Sequence, residues 1–436
     1  MKTHNATMFL RAAVLLAIAV FGGNIVAQAQ TLTTIHSFTG TNGDGEYPFA
    51  EGGLPFDNNG ALYGTTAAGG TANWGTVFQL VPPTVQGGAW TENVLYSFQG
   101  GTDGRQPSLG VVFDQLGNLY GTTQFGGNAQ ACGGGCGTIF KLSPPTQQGG
   151  QWTHIVLYTF QGNADGQYPG EVLFGANGVL YGTTTSGGAN PGVPCHTNRR
   201  ITFGCGTVFE FTPPSGKGGS WTKTVLYTFP QFKGDGTGPG SEITFDSQGN
   251  IYGYTGGGTG GYGTAYLLTA PSASGGAWKE TVLHDFTGGS DGGYLAGTPT
   301  LGPNGVLYGA ASYSGVANAS GLIFELTPPE QAGGAWTETV LHNFPAFKGD
   351  ATTPYSTLAI DQSGNVTAPP SSAAPTPATS VAERSSSWLR HRWAGASGQN
   401  PCCTIWGTAA KTRIAALWCF TMVYCSEQPL ISELRM

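Results

Sequence analysis

A seven-residue phrase occurs five times along the chain, and this repetition constrains the fold more than any other feature. The copies are GALYGTT at Gly60, GNLYGTT at Gly117, GVLYGTT at Gly178, GNIYGYT at Gly249 and GVLYGAA at Gly305. The whole unit is about 56 to 71 residues long and reads roughly DGxxP, LxFDxxGNLYGTT, GTVFxLxPP and GGxWTExVLYxF. A period of this length indicates a tandem array of one supersecondary unit.

Each unit offers four strand-sized runs. In the second copy these are GVVFD from Gly110, NLYGTT from Asn118, GTIFKL from Gly137 and WTHIVLYTF from Trp152. The runs are rich in β-branched and aromatic residues and are bounded by Gly, Pro, Asn and Asp. The sequence therefore predicts an all-β chain, a β-propeller of four-stranded antiparallel blades. A stacked β-solenoid is the alternative, although its coils are usually much shorter.

Composition supports short strands joined by tight turns. The 436 residues include 73 Gly, and only 9% are charged while 39% are hydrophobic. This is too apolar for a disordered chain and too rich in Gly for a helical domain. Between Gln30 and Val366 there are 21 acidic against 9 basic residues. Because such a surface repels phosphate, no nucleic acid is expected as a partner.

The N-terminus has the pattern of a secretory signal peptide over residues 1–29. Basic Lys2 and Arg11 precede an apolar run that begins at Ala12, and Ala27 and Ala29 suit a cleavage site. A retained membrane anchor is the alternative, but the run is shorter than the roughly 20 residues that span a bilayer. The chain is therefore expected to be secreted or held at the cell surface, with no membrane span after cleavage.

The segment TLTTIHSF, Thr31 to Phe38, matches only the last strand of a unit. In propellers, an N-terminal strand of this kind commonly completes the last blade and removes an open sheet edge. The sequence thus predicts five complete blades plus partial ones over residues 30–366. An intact ancestor would have had seven.

The sixth copy begins normally and then departs from the pattern at GNVTAPP, Gly364 to Pro370. Coding for Val-Tyr-Gly-Thr-Thr as GTG TAC GGC ACC ACC and deleting the first T of the Tyr codon yields Val-Thr-Ala-Pro-Pro. The displaced frame between Ala382 and Thr404 can again spell GTVFEL and WTExVLY. We interpret residues 367–436 as a frameshifted, unstructured tail, a hypothesis that an uninterrupted genomic reading frame would contradict.

The most regular candidate site is a set of acidic residues in the DG phrase that begins each unit, namely Asp44, Asp103, Asp165, Asp235, Asp291 and Asp350. Repeat geometry places all six on one face of the propeller. Asp-Gly is first of all a turn former, and a calcium loop would normally supply several carboxylates. Turn chemistry is therefore the simpler interpretation, and a ring that binds a ligand or calcium is the alternative. No other cofactor is expected.

The cysteines of the repeat region predict two local disulfides. Cys132 and Cys136 flank three glycines, and Cys195 and Cys205 flank an inserted loop in the same connection of the next unit. A metal site formed by Cys195, His196 and Cys205 is the alternative, but the spacing is not that of a zinc finger. Three histidines share a repeated strand position with Tyr and are interpreted as packing residues: His36, His284 and His342.

With LYGTT, GTVFxL and WTExVLYxF repeated, the region Thr31 to Val366 resembles the secreted Gly-rich tandem-repeat proteins of the GloVer repeat or choice-of-anchor family. That resemblance implies export, a propeller-like region and often a C-terminal anchor, which would be missing here. It supplies no catalytic residues.

The first functional hypothesis is an extracellular binding or scaffolding propeller for a glycan or protein. A propeller enzyme acting on a sugar, lactone or polysaccharide is the second, with Glu171 and Glu242 as the best carboxylates that break the repeat pattern. A purely structural surface protein is the third.

Overall fold

The computed structural model describes residues 34–372 except 50–52, 108, 148, 189–193, 198–199, 204, 217, 231–235, 274, 318, 332, 346–351, 355–356, 362–364 and 368–369. The expected signal peptide and residues 373–436 of the expected tail lie outside the described residues. The same holds for two of the candidate carboxylates, Asp235 and Asp350.

Within the described residues, the chain forms five four-stranded antiparallel sheets, numbered here as blades 1 to 5. Blades 1 and 2 comprise β1 (Gly45–Phe49), β2 (Leu62–Gly69), β3 (Thr76–Val81), β4 (Thr91–Ser97), β5 (Val112–Phe113), β6 (Leu119–Thr123), β7 (Thr138–Ser143) and β8 (Thr153–Thr159). Blade 3 comprises β9 (Gln167–Phe174), β10 (Leu180–Ser186), β13 (Thr207–Thr212) and β14 (Thr222–Thr228), and the hairpin β11 (Pro194–Thr197) and β12 (Arg200–Phe203) is inserted in it. Blades 4 and 5 comprise β15 (Pro239–Phe245), β16 (Ile251–Thr255), β17 (Thr264–Thr269), β18 (Lys279–Asp285), β19 (Gly293–Leu301), β20 (Leu307–Tyr313), β21 (Ala319–Thr327) and β22 (Thr337–Pro345).

Short 3-10 turns are the only helical elements among the described residues. They are η1 (Gly101–Asp103), η2 (Asn163–Asp165), η3 (Ala176–Gly178) and η4 (Pro303–Gly305). The predicted all-β propeller is confirmed, because each unit of the repeat forms one sheet in which consecutive strands pair. The first strand of a blade also packs against the second strand of the blade before it, as β9 does against β6 and β19 against β16. A solenoid would instead stack parallel coils.

Apolar clusters fill the space between successive blades. Between blades 2 and 3, Phe160 at the end of the fourth strand meets Phe209 and Phe211 of the next blade, and Trp221 stacks on the Phe211 ring with centroids 4.8 Å apart. The same arrangement recurs at Phe98, Phe229 and Phe286 in the neighbouring clusters. The recurring Phe and Trp of the VLYxF and WTE phrases therefore hold blades together, as blade-packing aromatic residues.

The two threonines of YGTT have separate roles. The first donates its hydroxyl to a carbonyl on the first strand of the next blade: Thr122 to Gly170 at 2.8 Å and Thr183 to Gly240 at 2.7 Å. The second pairs with the Thr of GTVF in its own blade, and the Thr123 and Thr138 hydroxyls are 2.8 Å apart. These bonds satisfy buried hydroxyls and connect neighbouring strands.

The glycine of YGTT is required by its own blade. Gly121 pairs with Phe140 on the third strand, and a Cβ at Gly121 would lie 2.7 Å from the Phe140 Cζ. Gly64, Gly182 and Gly309 face Phe78, Phe209 and Phe324 in the same way. The missing side chain thus leaves room for an aromatic ring on the neighbouring strand.

The described part of the N-terminal segment, residues 34–39, packs in the position of a fourth strand but does not form a strand. Residues 34–39 have no assigned strand, yet Ile35 and Phe38 pack against the core of blade 1. The Phe38 ring lies 4.8 Å from the Phe78 ring, as Phe98 lies 5.2 Å from Phe140 at the next interface. The predicted strand was wrong for these residues, because no described strand of the chain pairs with them.

The sixth copy begins a blade in two fragments. One pairs β24 (Ala359–Ile360) with β25 (Val366–Thr367), and the other pairs β23 (Thr352–Pro354) with β26 (Pro370–Ser372). Asn365 donates to Asp361 through its backbone and side chain, as Asn118 does to Asp114. Thr367 and Pro370–Ser372 belong to the expected tail, and backbone pairing places them in strands because it depends little on side-chain identity.

Candidate functional site

The connections between blades meet the turns between second and third strands at one end of the sheets. Strands alternate in direction, so both kinds of loop lie at the same end, which we call the Asp-Gly face. Gln106, three residues after Asp103, donates its N–H to the Trp74 carbonyl of the preceding blade at 2.9 Å. The equivalent bonds run from Tyr168 to Cys136, from Gly238 to Cys205 and from Tyr294 to Tyr262. Each blade is therefore fastened to the next at this face.

The Asp of each described DG phrase holds a turn. One carboxylate oxygen accepts the backbone N–H of a residue four or five positions earlier, Gln99 for Asp103 and Gln161 for Asp165, both at 2.7 Å. Thr39 and Thr287 make the same bond to Asp44 and Asp291. The simpler interpretation as turn formers accounts for these oxygens. The ligand or calcium role remains a prediction.

The carboxylate also meets a Tyr or His from the preceding outer strand. The Tyr96 hydroxyl donates to Asp103 at 2.8 Å and the Tyr158 hydroxyl to Asp165 at 2.7 Å. His284 takes the same strand position, but its Nε2 lies 3.3 Å from Oδ2 of Asp291, the oxygen that also accepts the Thr287 N–H. His36, His284 and His342 each pack against a Phe ring two residues later, as expected of packing residues. The alternation of Tyr and His at one strand position was the sequence signal for this contact. Both side chains carry a polar atom at a similar distance from the backbone.

A third polar residue completes each group, and the sequence analysis missed it. It stands two residues after the recurring Trp, on the fourth strand of the following blade: Glu92, His154, Lys223, Glu280 and Glu338. His154 Nδ1 lies 3.2 Å from Asp103, and Lys223 Nζ lies 2.9 Å from Asp165. Its signal in the sequence is the change of charge at one position of an otherwise regular WTExVLY phrase. We call each Tyr or His, Asp and third residue a junction cluster.

Burial strongly affects the charged groups of the junction clusters. The Lys223 side chain is 2% exposed, and burial lowers its pKa although the Asp165 carboxylate opposes that shift. Burial likewise lowers the pKa of His154, again against the charge of Asp103. Glu338 shows the opposite case, since burial and then the charge of Asp291 raise its pKa to about 7. The clusters thus combine one retained carboxylate with a variable partner.

Replacing Glu338 with Gln should flatten the dependence of stability on pH. The folded pKa of about 7 exceeds the ordinary value of 4.5, so the folded state binds more protons between these values and stability falls as pH rises through them. Gln cannot ionise. After allowing for screening by solvent, we expect Glu338→Gln to stabilise the protein by about 1 kcal/mol at pH 8 and by little at pH 5. Urea unfolding at both pH values measures this, with the exposed Glu330→Gln as control; identical pH profiles for wild type and Glu338→Gln would contradict it.

Several residues on the Asp-Gly face have a backbone in the left-handed conformation. Tyr47, Gln106, Tyr168 and Tyr294 have φ between 54° and 58°, and the equivalent residue of blade 4 is Gly238 with φ 62°. This region is unfavourable for a bulky residue. In Gln106, Tyr168 and Tyr294, the backbone bond to the preceding blade fixes the conformation and places the side chain at the face.

Two aromatic groups lie on this face. Tyr262, Tyr294 and Tyr313 surround one another with ring centroids 5.5, 5.9 and 5.8 Å apart, and Tyr294 and Tyr313 are each 40% exposed. In the second group the Arg105 guanidinium lies 4.8 Å from the Trp74 ring and 5.3 Å from the Phe125 ring. Sequence reasoning missed both groups, because their members come from different loops of the repeat.

The cysteine prediction is confirmed in one of its two pairs. Cys132 and Cys136 form a disulfide in the turn between β6 and β7. Cys205 is buried in the cluster between blades 3 and 4. The side chain of Cys195 and that of His196 lie outside the described residues, so the second disulfide remains a prediction.

The enzyme hypothesis named two carboxylates, Glu171 and Glu242. They lie on the first strands of blades 3 and 4, Glu171 on β9 and Glu242 on β15. Glu242 is buried and accepts the Thr298 hydroxyl of the next blade at 2.6 Å. The Thr298 N–H in turn donates to the Thr357 hydroxyl at 3.0 Å. Glu242 thus takes part in a hydrogen-bonded link between the inner strands of successive blades.

The carboxylates of the FDxxG hairpins are structural. Asp114 accepts the N–H groups of Leu116 and Asn118 at 2.9 Å and the Tyr120 hydroxyl at 3.2 Å. Asp57 and Asp246 make corresponding bonds. Their oxygens therefore hold the turn between the first two strands of the blade.

The repeat phrases and their blades can now be compared with known proteins. Residues 21–193 match the Gloeobacter/Verrucomicrobia repeat family. The resemblance inferred from LYGTT, GTVFxL and WTExVLYxF is thereby confirmed over this region. In the matched region, the recurring residues are those that close turns and hold neighbouring blades together. No curated protein sequence matches the chain significantly.

Solved structures resemble the chain only distantly. An α-L-arabinofuranosidase from Lactobacillus brevis is 10% identical, with a TM-score of 0.37 over 71% of this chain and 95% of the other. A glucose dehydrogenase is 15% identical, with a TM-score of 0.40 over 78% and 95%. The K499G mutant of NanB sialidase from Streptococcus pneumoniae is 10% identical, with a TM-score of 0.42 over 78% and 68%. Similarity at this level transfers no activity.

The described residues contain no helix with the length and hydropathy needed to cross a membrane.

Proposed function

We propose that this chain is an exported binding or scaffolding propeller that takes its ligand on the Asp-Gly face. The observation that carries the proposal is the cluster of Tyr262, Tyr294 and Tyr313. Two of its rings are 40% exposed, and Tyr294 adopts a φ of 54°. Strained backbone that presents an exposed aromatic side chain is typical of binding surfaces.

The chemistry of this surface favours a glycan. Flat aromatic rings bearing hydroxyl groups can contact the apolar faces of sugar rings and hydrogen-bond to their edges. Arg105 beside Trp74 and Phe125 adds a second surface of planar groups, contributed by blades 1 and 2. The chain has an excess of acidic residues, which suits neutral or basic ligands better than polyanions.

Export is supported by the residues rather than by a measured location. The signal pattern of residues 1–29 precedes the repeat, and the Cys132–Cys136 disulfide requires an oxidising compartment to persist. The enzyme alternative has no comparable support, because Glu242 is engaged by Thr298.

The test uses purified full-length chain on a panel of immobilised neutral polysaccharides. Tyr313→Ala should weaken binding at least about fivefold, since truncating an aromatic anchor at the centre of an interface costs more than about 1 kcal/mol. Leu116→Ala is the matched control, because Leu116 is 82% exposed in the hairpin at the opposite end of blade 2. Binding that Tyr313→Ala leaves unchanged, or that Leu116→Ala weakens equally, would contradict the proposed face. If the chain binds a protein instead of a glycan through this face, the proposed binding face is correct and the proposed ligand class is wrong.

A further inference from the structure

The junction cluster at the N-terminus differs from the others in how its polar atoms meet. His36 Nε2 lies 3.9 Å from Asp44 Oδ1 and 3.7 Å from Glu92 Oε2. These separations exceed the usual hydrogen-bond range of about 2.7 to 3.2 Å. In the next two clusters the third residue instead contacts Asp directly, with His154 at 3.2 Å and Lys223 at 2.9 Å. Three polar side chains therefore converge here, with His36 beyond the usual hydrogen-bond range of both carboxylates.

The atoms at this point are buried and lack hydrogen-bond partners. His36 Nε2 and Asp44 Oδ1 have almost no exposed surface and no hydrogen bond, and the same holds for Oε1 of Glu92, whose other oxygen faces His36. Leaving a buried polar atom without a partner costs about 1 to 3 kcal/mol. Two neighbouring carboxylates add electrostatic repulsion, because a ligand oxygen of Asp44 and one of Glu92 lie within 4.8 Å of each other. A bound cation would remove both costs.

The three residues offer the ligands that a divalent transition metal prefers. One ligand atom from each of His36, Asp44 and Glu92 lies within 4.8 Å of the others. Tetrahedral zinc with bonds of about 2.0 to 2.2 Å places its ligands about 3.4 Å apart. The observed 3.7 and 3.9 Å thus require movements of roughly 0.5 Å or less. Calcium fits less well, because it takes six to eight oxygen ligands rather than an imidazole nitrogen.

The surroundings orient one ligand for this role. Asp44 Oδ2 accepts both the N–H and the hydroxyl of Thr39 at 2.6 Å. This pair of bonds leaves Oδ1 directed at His36 and Glu92, as secondary contacts commonly do around metal sites. Exposures of 12 to 19% for the three side chains leave a route for an ion.

We propose that His36, Asp44 and Glu92 form a zinc site with a free coordination position. The site would join three separate parts of the chain: the N-terminal segment, the turn before β1, and β4 of blade 1. It would fasten residues 34–39, which lack strand pairing, to the first blade. It is independent of the ligand proposed for the aromatic cluster.

Zinc binding to the full-length chain tests the site. After treatment with EDTA and dialysis, calorimetric titration with ZnCl2 should show saturable binding, and Glu92→Gln and His36→Ala should each weaken it at least tenfold. A hundredfold excess over the dissociation constant should raise the melting temperature of wild type by on the order of 5 °C. His284→Ala is the matched control, because His284 occupies the same repeat position but is within 3.3 Å of Asp291.

Cobalt substitution separates this site from cysteine ligands elsewhere in the chain. Co²⁺ at a nitrogen and oxygen site should give visible absorption without the near-ultraviolet charge-transfer band of a thiolate, and Glu92→Gln should remove it. Glu92→Gln changes shape little, and its circular dichroism reports whether it folds. No saturable zinc binding by wild type would overturn the proposal. Equal affinity in folded Glu92→Gln, or a spectrum dominated by thiolate, would also overturn it.

Discussion

Phe160→Ala is expected to destabilise the protein by about 3 to 5 kcal/mol, the usual cost of removing a fully buried aromatic ring. The Phe160 side chain has no exposed surface. Its ring centroid lies 5.5 Å from that of Phe209 in the next blade and 5.3 Å from that of Tyr158. Lys223 Nζ lies 5.2 Å from the same ring, so the substitution also leaves a buried charge beside a cavity.

Urea unfolding followed by tryptophan fluorescence measures this effect. Leu116→Ala provides the control, since Leu116 is 82% exposed and a surface substitution usually stays within about 0.5 kcal/mol. A loss smaller than about 1 kcal/mol for Phe160→Ala would show that the interface between blades 2 and 3 is not packed as described.

Gly121→Val should destabilise the protein by about 3 kcal/mol, at the upper end of overpacking effects. The first added carbon would lie 2.7 Å from the Phe140 Cζ and 3.2 Å from the Val111 Cγ1. Phe140 has no exposed surface, so its ring has little room to move away. Val adds two further methyl groups at the same point.

A double substitution distinguishes this clash from a general loss of glycine flexibility. Phe140→Ala alone should cost about 3 to 5 kcal/mol. Combined with Gly121→Val, the loss should be smaller than the sum of the two single losses by more than about 1 kcal/mol, because the valine occupies space that the ring has left. Strictly additive losses in urea unfolding would contradict this explanation of the YGTT glycine.

The junction clusters indicate how one repeat tolerates different charges. Asp is present in every described cluster, while the third residue is acidic in Glu92, Glu280 and Glu338 and basic or neutral in His154 and Lys223. Where it is His154 or Lys223, the partner on the outer strand is Tyr, which donates to Asp without adding charge. Where the partner is His36 or His284, the third residue is Glu. A basic third residue thus faces Asp165 directly as Lys223, whereas Glu280 instead accepts the hydroxyl of Tyr227 at 2.6 Å.

The sequence by itself determined the local structure of each blade. Strand runs in the second copy predicted β5 to β8. The Cys132–Cys136 disulfide was likewise readable, because its cysteines are four residues apart. Turn chemistry and strand periodicity depend on a few neighbouring residues. Each copy of the repeat therefore contains the residues that specify its own strands and turns.

Tertiary structure alone decided which polar groups meet. Lys223 contacts Asp165 across 58 residues of chain, about one full repeat. Such a contact depends on how one blade stacks on the next, which neither residue specifies locally. The same reason explains why Thr31 to Phe38 has the pattern of a strand but residues 34–39 form none. Strand pairing needs a neighbouring edge with free backbone groups, and only the assembled blades determine whether that edge exists.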